Sequence, residues 1–178
     1  MSDDAAISAV MAQCSVVVSL LGPSISDRSV GPTMYPELYK SIVFPMMRRH
    51  GVRRIFAMGT LTIRQPEDRW TLMQTAVVPL MRLFANSLYQ NIIGVGNVFT
   101  QDASDLDWTI FRIAGIPGEA DEVSWKKNRD GGKVFAGAIG EPGWTSSINR
   151  ALLARWLCDS AESGAAEWIG KMPALAGK

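Results

Sequence analysis

The stretch Ser15-Val16-Val17-Val18-Ser19-Leu20-Leu21-Gly22 decides how the chain is read. Five of its residues are apolar in near-continuous order, as in a strand covered on both faces of a parallel sheet, and Gly22-Pro23 ends it. Two similar runs follow: Val52-Arg53-Arg54-Ile55-Phe56-Ala57-Met58-Gly59-Thr60 and Leu106-Asp107-Trp108-Thr109-Ile110-Phe111-Arg112. Each leads into a turn, and helical stretches separate them. Strand, helix and strand joined this closely form right-handed parallel crossovers. The fold class is therefore α/β, a truncated Rossmann-like parallel sheet flanked by helices, in one domain spanning residues 1–178.

Outward from these runs, 2–13 is expected to be a short helix with an acidic first turn, Asp3-Asp4. A polar loop is expected from Ser24 to Thr33. A helix over 35–50 would turn Leu38, Ile42, Val43, Met46 and Met47 inward, with Pro45 kinking it and His50-Gly51 stopping it. The longest helical stretch, 70–99, has an apolar face of Val77, Met81, Phe84, Leu88, Ile92, Val95 and Phe99, with Pro79 dividing or bending it. Gly94 and Gly96 each cost the helix ~1 kcal/mol relative to Ala and are read as allowing close packing on the sheet. Residues 115–143 read as loop with a short strand near 133–138. Ser146-Ser147 is expected to cap a helix over 148–162 with Leu152, Leu153, Trp156 and Leu157 inside. The tail from Trp168 reads as loosely held.

With 178 residues, 47% hydrophobic and 20% charged, the chain has the composition of an ordinary globular domain. A formal net charge of +1 gives no reason to expect nucleic acid or an acidic membrane as partner. No apolar run reaches the ~18 residues of a membrane span, and no basic-then-apolar leader opens the chain. Cys14 and Cys158 have no metal-ligand spacing and read as reduced, buried or half-buried thiols, so no metal is expected and the compartment reads as cytoplasmic.

The ordered set of segments resembles the atypical short-chain dehydrogenase class of NAD(P)-binding proteins, the NmrA-like and biliverdin reductase B-like proteins. Val17 to Gly22 looks like the family's fourth strand, His50 to Thr60 its helix, Gly-Val and fifth strand, and Asp107 to Arg112 its sixth. Ser147 to Ala154 matches the segment where a helix packs back on the sheet. A narrower likeness, prompted by Leu20 to Asp68, is to averufin oxidase A-type oxidoreductases of fungal aromatic-polyketide clusters. The resemblance implies an NAD(P)-dependent oxidoreductase of secondary metabolism with a small aromatic substrate. NADP or NAD would sit on Leu21, Gly22 and Pro23, on Gly59 and Thr60, and on Ile113, Ala114, Gly115 and Ile116. Thr60 would be the catalytic hydroxyl that orients a substrate carbonyl.

Three departures from the family pattern matter. The glycine-rich phosphate loop and the half-sheet that carries it are absent from the sequence. The Tyr-x-x-x-Lys pair is absent too, since Tyr89 is followed by Ile93 at the lysine position. A bare, apolar edge on the Ser15–Leu21 strand would call for a homodimer or another partner, or mark an incomplete product. Two other functions stay open: a non-catalytic dinucleotide- or partner-binding protein, and a redox-neutral cyclase or isomerase. Gly22 and Gly59 also read simply as tight strand ends, and Thr60 as a capping hydroxyl. His50 reads as a helix-end residue, Glu67, Asp68 and Asp107 as solvated carboxylates. Arg112 reads equally as an anion contact or a scaffold ion pair. Trp70, Trp108, Trp125, Trp144 and Trp156 read as core and lid packing.

Overall fold

The computed structural model describes residues 4–23 and 30–177. Ser2 and Asp3 of the expected first helix, and 24–29 of the expected polar loop, lie outside them. The three apolar runs form β1 (Val16–Ser19), β2 (Arg54–Thr60) and β3 (Asp107–Ile113), all parallel. Two further strands, β4 (Phe135–Gly137) and β5 (Ala174–Ala176), complete a five-stranded sheet in the order β1-β2-β3-β5-β4. Only the β4–β5 pair is antiparallel. This is the α/β, Rossmann-like arrangement expected, with β1 left at one edge.

Helices cover both faces. On one side α1 (Asp4–Met11), α2 (Met34–Leu38), α3 (Phe44–Arg49), α4 (Leu72–Phe84) and α5 (Asn86–Asp102) come from the first part of the chain. Their core is aromatic: Phe99 meets Tyr39, Phe44 and Trp108 edge-on, with centroids 4.9, 5.0 and 5.9 Å apart. On the other side, α7 (Arg150–Ser163) packs Leu152, Leu153 and Leu157 with Phe56 and Phe111, as its apolar face implies. Between β3 and β4 lies a helix absent from the sequence reading, α6 (Glu122–Asn128), capped by the Asp121 carboxylate.

Several expectations are corrected. A π-helical turn at Tyr39–Val43 joins α2 to α3, and the Phe44 N–H reaches back to the Tyr39 carbonyl. Pro45 has no N–H to give to the preceding turn, and the widened turn absorbs that loss. The extra residue rotates the buried face, so Tyr39 and Phe44 join the expected Met47 inside, while Leu38, Ile42 and Met46 are only half-buried. The Tyr39 hydroxyl is 2.6 Å from Ser19 Oγ. Burial pushes its pKa up to about 12, against the lowering effect of the Ser19 contact.

The long helical stretch breaks at Ala85, not at Pro79, which remains inside α4. Phe84 is 75% exposed and Val77 is also exposed, so the buried stripe of this stretch lies mostly in α5. Gly94 packs on another helix rather than on the sheet, since a Cβ there would fall 2.6 Å from Pro36 Cγ. Asn149 caps α7 by accepting from the Ala151 N–H, two residues beyond the expected Ser146-Ser147. His50 takes the structural role expected of it, with Nε2 2.7 Å from Ser8 Oγ, which ties α1 to the end of α3. Both cysteines are exposed, and Trp70 is a surface residue.

The largest correction concerns the tail. Ala174 and Ala176 are fully buried, and β5 is an interior strand. Arg112 directs this. Its N–H donates to the Pro173 carbonyl at 2.8 Å, its Nε donates to the Met172 carbonyl and its Nη1 to the Ile63 carbonyl. The guanidinium also grips the Asp68 carboxylate with both Nη atoms, and both side chains are almost wholly buried. Asp68 completes its shell with the N–H groups of Gln65 and Ile139. It is therefore not a solvated carboxylate, and Arg112 is a scaffold residue.

Burial alone would raise the Asp68 pKa. The Arg112 hydrogen bond, the two backbone N–H groups and the Arg112 charge outweigh it and hold the carboxyl below its usual range. A depressed folded pKa adds stability that is complete above the unfolded value and lost as pH falls through the folded one. Wild-type stability should therefore fall below about pH 4, and Asp68→Asn should flatten that fall. Asp68→Ala, which strands a buried guanidinium, should cost about 3–5 kcal/mol in urea unfolding at pH 7. A loss under 1 kcal/mol would contradict the assignment.

Candidate functional site

The carboxyl ends of parallel strands are where an α/β sheet usually builds its sites, because the connecting loops diverge there and leave a crevice. Here β2 ends at Thr60 and β3 at Ile113, partners in the strand register. Beyond them opens a cavity of about 360 Å³, within the range of small-molecule sites. Thr60, Ile113 and Ala114 form its floor, with Leu61, Thr62 and Pro23 beside them. Helices α4 and α5 supply the remaining wall through Met73, Gln74, Val77, Val78, Met81, Leu88 and Ile92. A smaller crevice of about 60 Å³ adjoins it, lined by Leu21, Gly22, Pro23, Met58, Gly59, Thr60, Asn91, Ile92 and Val95.

The structure thus brings together Pro23, Thr60, Ile113 and Ala114 at the cavity, and Leu21, Gly22 and Gly59 at the crevice beside it. It leaves Gly115 and Ile116 outside both linings. Gly115 is clamped to the entry of α7, accepting from the Ile148 N–H at 3.0 Å and donating to the Ser146 carbonyl at 3.1 Å. Ile116 packs into the core beneath α7. Gly59 has a packing reason to be glycine: an added Cβ would fall 2.6 Å from Ile110 Cγ2 and 3.2 Å from Ile63 Cδ1.

Three uncharged polar side chains interrupt the apolar lining. The Thr60 and Thr62 hydroxyls are 2.6 Å apart, and the Thr62 N–H donates to Thr60 Oγ1 at 3.3 Å. Gln74 is the third, buried on the first turn of α4. Among the described residues, no lining residue carries a charge or a titratable group. Asn91, in the crevice, is fully used by the scaffold: it accepts from the Tyr35 N–H and donates to the Gly31 and Ser87 carbonyls. Sequence reasoning missed Thr62 and Gln74. The signal was available in Thr71-x-x-Gln74, the spacing of a helix-opening capping box, with the Thr71 hydroxyl accepting from the Gln74 N–H.

A family model described as NAD(P)H-binding matches residues 1–163. The chain belongs to this NAD(P)H-binding family. No curated protein matches its sequence. Among solved structures, a wide-type short-chain dehydrogenase/reductase from Veillonella parvula in complex with NADP is similar at a TM-score of 0.62 and 11% identity, over 98% of this chain and 68% of that one. An anaerobilin reductase from Escherichia coli O157:H7, ChuY, aligns at 0.60 and 15%, over 97% and 70%. A Rossmann-fold NAD(P)-binding family protein from Shigella flexneri aligns at 0.54 and 17%, over 98% and 66%. These likenesses show the fold. The chain spans about two thirds of the length of these neighbours.

The family's cofactor is NAD(P)H, and the described residues suit one end of it. The Thr60 hydroxyl and the apolar Ile113–Ala114 floor offer a hydrogen-bonding group and an apolar surface of the kind a ring and a sugar hydroxyl could use. Among the described residues, neither cavity nor crevice offers the glycine-rich run of N–H groups or the basic side chain that a pyrophosphate needs. No helix of the described residues is long and apolar enough to cross a membrane. Gly59→Ala should overpack the β2–β3 junction and cost about 1–3 kcal/mol, read by chemical denaturation. A neutral substitution would contradict the packing role.

Proposed function

We propose that the chain is an NAD(P)-dependent oxidoreductase acting on a small aromatic, polyketide-like molecule. The reading rests on one observation: an apolar cavity at the carboxyl ends of β2 and β3 with a threonine hydroxyl on its floor. When bound, reduced nicotinamide supplies a hydride, and solvent supplies the proton that completes reduction of a carbonyl or quinone. The residues of this chain bind and orient. Thr60, paired with Thr62, offers a hydroxyl to the substrate carbonyl, and the walls from α4 and α5 exclude water from the ring.

A second reading, binding without turnover, is favoured by a cavity lining that, among the described residues, holds no titratable side chain. The two are separated by titrating NADPH and NADH into the purified chain calorimetrically, then following nicotinamide absorbance with menadione as probe. The first reading predicts saturable binding and turnover, with Thr60→Val lowering kcat/KM about tenfold or more, the loss of one well-placed hydrogen bond. Saturable binding without turnover supports the second reading. No binding contradicts both.

We also propose that a second copy of this chain covers the free edge of β1. Among the described residues, β1 pairs with β2 alone. Its surroundings are apolar, with Val18 42% and Leu20 59% exposed. The run from Ser15 to Pro23 carries no charge, so an antiparallel two-fold pairing sets no like charges together. Size-exclusion chromatography with light scattering should give a dimer that Val18→Lys dissociates. A wild-type monomer at high concentration would contradict this.

A further inference from the structure

Helix α4 carries apolar residues on two sides, and among the described residues only one side is covered. Gln74, Val78 and Met81 share one side at helical spacing and line the cavity. On the other side Leu72, Leu80, Leu83 and Phe84 are each more than half exposed, and Val77 beside them is exposed as well. At about 100° per residue these five side chains fall within about 140° of the helix circumference. That is as wide as the stripe with which a helix normally packs on a core. Trp70, just before the helix, is 71% exposed and extends the patch. A soluble monomer seldom leaves so continuous an apolar face in water unless it binds something.

The charges along this stretch have one sign. Arg69 and Arg82, both exposed, are its only charged residues, and no Asp or Glu occurs from 69 to 101. The Arg82 guanidinium lies 5.7 Å from the centroid of the Tyr89 ring, and among the described residues no carboxylate neutralises it. The net charge of +1 for the whole chain conceals this local excess. A second copy docked face to face would bring arginines together with no carboxylate from the stretch to meet them. An anionic bilayer supplies both missing partners: acyl chains for Leu72, Leu80, Leu83 and Phe84, and negative headgroups for the arginines. The arginine stem can lie along the apolar surface while its head reaches a phosphate. Tryptophan, as at position 70, is the side chain that settles at headgroup level. We propose that α4 and Trp70 form a docking face with which the protein lies on the surface of an anionic lipid bilayer. Val77 belongs both to this face and to the cavity lining, so the docked surface adjoins the cavity.

Vesicle co-sedimentation of the full chain tests this, with phosphatidylcholine alone against phosphatidylcholine mixed with phosphatidylserine. The wild type should bind the mixed vesicles saturably, more weakly as salt rises, and the neutral ones at least about fivefold less tightly. Replacing Leu83 and Phe84 together by Ser should weaken binding about tenfold or more. Both side chains are three-quarters exposed, so the urea midpoint should stay unchanged. Arg82→Gln should cost about fivefold on the mixed vesicles and nothing on the neutral ones. Lipids carrying a quencher in the acyl chain should quench part of the tryptophan emission, and Trp70→Phe should remove that part. Should the double variant fail to fold, the salt dependence and the quenching still decide. No wild-type binding, equal affinity for neutral and mixed vesicles, or binding that survives the double substitution would overturn the proposal. A dimer that the double substitution dissociates, read by light scattering, would overturn it too and assign the face to a second copy. None of these readouts depends on NADPH binding or turnover, so failure of the oxidoreductase reading would leave them unchanged.

Discussion

The guanidinium of Arg112 is the constraint on which the rest of this structure depends. A cation with no exposure at the end of an interior strand is tolerable only if every donor is matched, because desolvation costs several kcal/mol. Its matches come from two segments far from it in the chain: the Ile63 carbonyl and Asp68 carboxylate in the loop after β2, and the Met172 carbonyl before β5. Asp68 in turn holds the backbone at Gln65 and Ile139. One charge pair thereby fixes the loop after β2, the entry to β5 and the exit from β4. The loop after β2 is also a wall of the cavity, so the ion pair reaches function by shaping the chamber rather than by touching a ligand.

A second buried arginine works differently. Arg54 opens β2, stacks 3.8 Å over the Phe56 ring and donates to the carbonyls of Asp107, Gly164 and Ala165. Burial lowers its pKa, and the nearby Asp107 and Glu167 charges partly restore it. The carbonyls of Gly164 and Ala165 belong to the end of α7, where a positive charge suits the helix dipole. The two arginines thus pin both ends of the central strand pair to segments that follow much later in the chain.

The legible parts of the fold were those with a local signal. Val16–Val18, Ile55–Met58 and Trp108–Phe111 are runs that a two-sided parallel sheet requires, and Leu152, Leu153 and Leu157 mark one face of a helix. The misplaced parts depend on distant partners. Ala174–Ala176 is short and has no β-branched residue, so it gives little strand signal. It is a strand because Arg112 and the backbone of β3 receive it. Asp68 read as solvated because its partner lies 44 residues away. Tyr39 and Phe44 became the buried pair only through a π turn that adds a residue to the helical period. In the site, Gly59, Thr60, Ile113 and Ala114 were legible as strand ends, whereas Thr62, in the turn after β2, and Gln74, on the first turn of α4, gave no local sign that they line the same cavity.

The site is therefore unequal in its provision for a dinucleotide. The floor at Thr60, Ile113 and Ala114 suits a ring and a ribose, and the described residues around it provide no grip for a pyrophosphate. The most direct measurement is the ¹H–¹⁵N spectrum of the chain titrated with NADPH. The account predicts that the amides of Thr60, Ile113 and Ala114 move together in one saturable process, while those of β4 and α6 stay still. Shifts confined to α6, or no shift at the ends of β2 and β3, would contradict it.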